Sequence, residues 1–488
     1  MHSDNKRRHF LKTSLLSSVA ASGSLLTSTQ LLSGCTTKAI RSRSQAQWDQ
    51  EASIIKNAIK RPQIPDRSIN IASIISQEHD DDFNQAVHSA IRALSLQGGG
   101  KLIIPKGEWF SNGPIHLESN INLHLEAGAI VTFSTDPLLY KPYVYTRWEG
   151  MELMGYSPLI YAYQKQNIAI TGNGILDGGA SEKNWWPWKG SWKSSTWGDH
   201  PTANQKYTRN ALQEMVANGT PVEERVFEHN FLRPPFIQPY ACENVLIEGV
   251  KILRSPFWLI NPVLCKNVTV NSVHCESFGP NSDGCDPESC TNVLIENCTF
   301  DTGDDCIAIK SGRNADGRRI GVPSSNIVIE NCEMKAGHGG VVIGSEISGG
   351  VENLYAQYCR MSSPDLDRGI RIKTNSIRGG LLRNLNYRNI DIGTVKDAVV
   401  INYFYEEGDA GNFPPKLEDV TIENLHVNVA VRPFVLRGYT HSPIKGITLN
   451  DITVVTSEKS SLIENVALLT TNNISVNGAP FSYSEQHK

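Results

Sequence analysis

The chain has 488 residues, 40% apolar and 20% charged, enough for one large core and too hydrophobic for a disordered polymer. Proline (24) and glycine (39) stand near average usage, which excludes collagen-like and linker-dominated sequences. A net charge of −4 excludes a global field for nucleic acid or anionic lipid, so an anionic ligand has to be caught by locally placed cations.

At the N-terminus, Lys6-Arg7-Arg8-His9-Phe10-Leu11-Lys12 resembles a twin-arginine export signal, with Lys6 where that motif usually has Ser or Thr. Residues 13–34 are rich in Leu, Ser, Ala and Thr and free of acids, as in a signal h-region. Leu32-Ser33-Gly34-Cys35 resembles a bacterial lipobox. Residues 1–35 are therefore expected to be a leader, with Cys35 the lipidated first residue of an exported protein. Its expected place is the periplasm or outer membrane of a Gram-negative bacterium, with the membrane touched only through that lipid. A spanning anchor is disfavoured, because the segment is too polar and interrupted. No later stretch approaches the ~20 apolar residues a span needs. Residues 36–47 read as a flexible tether within an N-terminal segment at 36–80.

The stretch 81–96 carries Phe83, Ala86, Val87, Ala90, Ile91 and Leu94 on one helical face and stops at Gly98-Gly99-Gly100. No other long amphipathic helix is expected. A repeat follows. Asn167-Ile, Asn244-Val, Asn267-Val, Asn292-Val, Asn326-Ile, Asn353-Leu, Asn384-Leu and Asp419-Val each open a short β-branched strand, and Ile447 and Ile474 continue the series less cleanly. From Asn244 to Asp419 the starts differ by 23, 25, 34, 27, 31 and 35 residues, a drift that fits a solenoid better than a propeller. The expected fold is all-β: a right-handed single-stranded parallel β-helix over 81–480, with the helix at 81–96 capping its first coil. Nine cysteines between Cys242 and Cys359 are an odd number and read as small core residues.

The segment 145–235 interrupts the repeat and carries Trp148, Trp185, Trp186, Trp188, Trp192 and Trp197. A long insertion of this kind is usually functional. Its indoles either stack on sugar rings or pin the insertion to the helix.

Counted from the Asn of each repeat, Asp304 and His338 both fall at offset 12, Asp283 at 16 and Arg371 at 18. Equal offsets on adjacent coils lie above one another. Asp283, Asp304, Asp305, His338, Arg371 and Lys373 are thus expected to form a ladder across four coils. Carboxylates packed together cannot all ionise freely: one should keep a proton for a leaving group while another activates water. Asp283 and Asp304 on neighbouring coils suggest the ~6.5–9.5 Å separation of an inverting glycosidase.

Asn281-Ser282-Asp283, Gly303-Asp304-Asp305, Gly337-His338-Gly339 and Arg371-Ile372-Lys373 resemble, in order and spacing, the four motifs of glycoside hydrolase family 28, the polygalacturonases, with Ser282 where many members have Thr. The resemblance spans roughly 80–480 and implies a pectin-lyase-like solenoid acting on pectin or oligogalacturonides. It implies Asp304 as general acid, Asp283 and Asp305 as the residues handling water, and His338 as their tuner. It implies Arg371 and Lys373 as the substrate-carboxylate grip, with Asn281 and, less securely, Tyr405 as further contacts. Lys310, Arg313, Arg318 and Arg319 either read further uronates or form a solvated turn. Arg233-Pro234-Pro235 resembles the bacterial exo-acting branch, in which the insertion would wall off one end of the groove. No cofactor, metal or nucleic-acid partner is expected, and the protein reads as a monomer. The alternatives are a rhamnogalacturonan or xylogalacturonan hydrolase, a pectate lyase, or a non-enzymatic β-helical binding protein.

Overall fold

A computed structural model of the chain describes residues 45–75, 82–190, 197–198 and 202–483; the leader at 1–35 with Cys35, the tether at 36–44, and Trp192 lie outside the described residues.

The repeat folds as parallel coils. The residues after each opening Asn, namely Val245, Val268, Val293, Ile327, Leu354, Leu385 and Val420, pair in one continuous register, and Ile447 extends it. Ile474 does not belong to this column: Leu469 pairs with Ile447, while Ile474 pairs with Ile452. The apolar column is fully buried, and each Val, Ile or Leu in it contributes ~1.5–3 kcal/mol.

The reason for the Asn is visible at the turn. Asn120, Asn167, Asn244, Asn267, Asn292, Asn326, Asn353 and Asn384 all hold φ between 51° and 61°. That left-handed corner is one Asn tolerates better than any other side chain with a Cβ. Each amide then donates from Nδ2 to Oδ1 of the Asn one coil earlier, at 2.9–3.1 Å, from Asn384 down to Asn120. The ladder fixes the register that apolar stacking alone would leave free to slip.

The drift in spacing comes from turn insertions. The longest catalytic-region repeat, between Asn292 and Asn326, holds a short helix at Asn314–Ile320. All nine cysteines after residue 240 are free and buried.

Three longer helices flank the coils. The first, α1, spans Gln45–Ala58. It lies across the coils rather than forming a tether: Trp48, Ala52 and Ile55 pack on Val328 and Tyr355, and Trp48 Nε1 donates to Gln357 Oε1 at 3.2 Å. Its apolar face is only three residues wide, too narrow for the periodicity to show. The second, α2, spans Phe83–Leu96, is capped by the Asp82 side chain, and buries the six apolar residues of its face over the first strands. The third, α3, spans Gln205–Ala217 inside the insertion and buries Gln205, Thr208, Leu212 and Val216. Half of that face is polar, so it too escapes an apolar pattern.

Besides α3, the insertion contains an antiparallel hairpin, Val144–Trp148 with Met151–Gly155. A buried ionic network ties it to the coils. Arg225 Nη1 meets Asp316 Oδ2 at 2.5 Å, and the same oxygen accepts from Glu152 N at 2.9 Å. Arg147 bridges Glu152 and Glu288 at 3.4 and 3.2 Å. Tyr240 Oη also donates to Glu152.

Candidate active site

Four consecutive coils present the site along one sheet column. Cys285, Ile307, Val341 and Ile370 pair in sequence. That register puts Asp283 beside Asp305, and His338 beside Asp304. The backbone repeats the alignment: Gly284 N donates to Asp305 O and His338 N to Asp304 O, both at 3.0 Å. Glycine is required at 337, where φ is 145° and a Cβ would meet the Asp304 carbonyl oxygen at 2.3 Å.

One carboxylate oxygen from each of Asp283, Asp304 and Asp305 lies within 4.8 Å of the others. Their nearest oxygens meet because Asp283 stacks on Asp305 and Asp304 is its chain neighbour.

Each carboxylate has a different cationic partner. Asp304 Oδ1 accepts from His338 Nδ1 at 2.9 Å and from Asp305 N at 3.0 Å. Asp305 is fully buried, with Arg371 Nη1 at 3.1 Å on one oxygen and Lys373 Nζ at 2.6 Å on the other. Asp283 Oδ2 faces Lys310 Nζ at 3.5 Å, while its buried Oδ1 has no hydrogen-bond partner among the described residues. Lys310 also faces Asp286 at 3.8 Å and Glu346 at 3.3 Å.

The protonation pattern follows. Burial, then the neighbouring charges of Asp286 and Asp304, raise Asp283 well above the usual carboxylate range. Asp304 is also buried, which would raise it, but the His338 charge and hydrogen bond pull it below that range. Asp305 is likewise lowered by Lys373 and Arg371 against the cost of its burial. Asp304 raises His338 to about 9. Burial thus shifts Asp283 toward its protonated form, whereas Asp304 is shifted toward the carboxylate and its proton is held on His338. The His338 side chain is 53% exposed, so solvent screens this pair and weakens the effect.

Asp283 and Asp304 open into a cavity of about 180 Å³, with the fully buried Asp305 behind them. Its lining includes the anticipated Asn281, Asp283, Asp304, Lys310, His338, Lys373 and Tyr405. Asn281 is held by the buried Arg233, whose Nη2 donates to Asn281 Oδ1 at 2.8 Å. Tyr405 lies beneath the Lys373 ammonium and Arg371 guanidinium, 5.1 and 5.6 Å from its ring centre. Arg371 does not line the cavity; it grips Asp305 from behind.

The basic cluster after Asp305 is neither a uronate reader as a group nor a solvated turn. Only Lys310 reaches the cavity. Arg313 pairs with Glu149 at 2.8 Å, Arg318 donates to Ile377 O at 2.9 Å, and Arg319 pairs with Glu152 at 2.5 Å.

The insertion contributes Glu149, Lys189, Trp197 and Arg209 to the lining, and Trp258 comes from the coils. Trp148, Trp185 and Trp188 are buried pins; Trp148 stacks on Phe257, with ring centres 5.3 Å apart. Glu149, Lys189 and Arg209 carry no motif and no period, so only the tryptophan density flagged their segment. Glu346, which follows directly on Gly344-Ser345, had no signal beyond that adjacency.

A parallel β-helix with a carboxylate trio, a His-paired aspartate and flanking cations in one lateral cavity defines a polysaccharide-cleaving enzyme that uses carboxyl chemistry. Residues 224–476 match the family described as Glycosyl hydrolases family 28, and the chain belongs to it; it is a glycoside hydrolase. A solved exopolygalacturonase from Thermotoga maritima is 42% identical over 89% of this chain and 97% of its own, with a TM-score of 0.83. A probable polygalacturonase of Vitis vinifera is 28% identical, the match covering 78% of this chain and 72% of that protein. An exo-poly-alpha-D-galacturonosidase of Dickeya chrysanthemi is 26% identical over 70% of this chain and 59% of its own length.

Proposed function

We propose that the enzyme hydrolyses α-1,4-galacturonosyl linkages of polygalacturonate with inversion, releasing galacturonate from the non-reducing end. The observation that carries this reading is the cavity lined on one side by the insertion residues Glu149, Lys189, Trp197 and Arg209 and on the other by Asp304 and Asp283. The exopolygalacturonase likeness supports the substrate class and the exo mode.

In this reading Asp304 protonates the glycosidic oxygen, drawing on the proton held across its bond to His338. Asp305 is a poor nucleophile because Arg371 and Lys373 occupy both of its oxygens. Asp283 Oδ1 has no partner among the described residues and is the place for a water. Once ionised, Asp283 takes that water's proton as its oxygen attacks the anomeric carbon. A water nucleophile makes one displacement and inverts the anomer. Proton NMR of the first turnovers on trigalacturonate should show β-galacturonate; the α-anomer first would refute inversion, and no release from polygalacturonate would refute the substrate class.

The leader motif supports export, with Cys35 lipidated. Mass spectrometry of the membrane-bound protein should find a diacylglyceryl Cys35, and Cys35→Ser should release it; unmodified protein on the membrane would contradict this.

A further inference from the structure

A polyuronate cut between two sugars brings two carboxylates to the site, one on each side of the bond. Family resemblance assigns Arg371 and Lys373 to one of them, although both bond Asp305 and only Lys373 lines the cavity. Nothing assigned so far takes the other, so the cavity's cations can be compared for an unspent charge. His338 is spent on Asp304, and three of the four Lys and Arg residues that line the cavity also face protein carboxylates. Arg209 Nε lies 2.8 Å from Glu149, and Lys373 Nζ 2.6 Å from Asp305. Lys310 faces Asp283, Asp286 and Glu346. The fourth, Lys189, ends the short 3-10 turn Trp186–Lys189 of the insertion and has no ion pair or hydrogen bond among the described residues.

Its surroundings suit an incoming anion. Lys189 is largely enclosed, and burial depresses its pKa while Glu149 and Asp304 act at longer range to raise it. A desolvated ammonium without a partner gains more from a carboxylate than a hydrated one does. The turn that carries it is anchored at both ends. Trp188 is buried at the preceding position, and Trp197 Nε1 donates to Gly190 O at 3.4 Å. Trp197 itself lines the cavity, so the insertion supplies both an indole and a cation to it. That pairing matches the two faces of a uronate sugar.

We propose that Lys189 is a specificity-determining residue: it receives the carboxylate of the chain-terminal galacturonate on the insertion side of the scissile bond. This rests on the exo reading above. It explains how a protein of net charge −4 holds a polyanion's end: the unspent cation lies where the terminal sugar is enclosed.

The test is competitive inhibition of trigalacturonate hydrolysis by galacturonate and by galactose, which differ only at the carboxylate, on wild type, Lys189→Met and Lys189→Arg. A charge-assisted contact predicts a ~10- to 100-fold weaker galacturonate inhibition constant in Lys189→Met, with galactose unchanged. Lys189→Arg should keep most of the galacturonate affinity. Equal weakening toward both sugars would mean that Lys189 only supports the turn, and no weakening toward either would mean that it does not touch the sugar; each overturns the proposal. Failure of the exo reading shows separately, as long oligomers among the wild-type products whatever Lys189 does.

Discussion

The coils from Ile237 to Asn402 and the insertion at 145–235 share one cavity but are held in place by different forces. In the coils, the Asn ladder and the apolar columns repeat the same contact at every level, so a catalytic side chain is positioned by its count from a turn. In the insertion nothing repeats, and position comes from single buried ion pairs reaching far along the chain, such as Arg225 with Asp316. In the proposed reading, chemistry is built on the periodic part and selection of a chain end on the aperiodic part. Their failures should therefore differ: damage to the coils costs the reaction or the fold, and damage to the insertion admits the middle of a polymer as well as its end.

The largest effect should come from Asp304→Asn, which keeps shape and the His338 contact but removes the proton donor. Hydrolysis should fall ~10²–10⁴-fold with an unchanged melting temperature. Activity within threefold of wild type, taken as a rough bound, would end the assignment of Asp304. Next comes Asp316→Asn in the tie between insertion and coils. It keeps one acceptor oxygen but leaves the buried Arg225 without the charge it faces. A loss of about 3–5 kcal/mol in denaturant unfolding is expected, along with longer products as the hairpin loosens. A purely monomeric product from a strongly destabilised variant would separate stability from end selection and break the comparison.

Within the ladder, Asn292→Ala removes the bond to Asn267, the bond from Asn326, and a residue suited to φ 61°. About 2–4 kcal/mol should be lost, with activity per folded molecule unchanged. Asn292→Gly should recover the backbone share; equal losses would show that the corner is not strained.

The smallest effect is in the pH profile. As pH falls, Asp283 protonates above the usual carboxylate range and can no longer take a proton from water, so the rate falls on the acid side. As pH rises through about 9, His338 releases the proton stored for Asp304, so the rate falls on the alkaline side. In His338→Gln the alkaline limb should move to lower pH, because Asp304 must then hold its own proton. An unmoved limb would assign it to another group.

The same contrast explains what was legible in the sequence. The β-helix, the cap at Phe83–Leu96 and the stacking of Asp304 with His338 could be counted from the Asn positions, because equal offsets mean equal heights. Asp283 falls at a different offset, and the turn insertion before it absorbs the shift and brings it beside Asp305. Arg209 and Glu149 carry no signal, since their places depend on ion pairs with residues as distant as Arg313, and Lys189 sits on a turn that no repeat predicts. The helix Gln45–Ala58 was missed because Trp48, Ala52 and Ile55 alone face the coils.

The central claim is that the insertion turns a groove into a pocket for a chain end. The most direct measurement follows the viscosity of polygalacturonate against the number of reducing ends released. The claim predicts that viscosity stays nearly constant while galacturonate accumulates from the first time point. A viscosity that collapses while only a small share of bonds has been cut would show internal cleavage and contradict it.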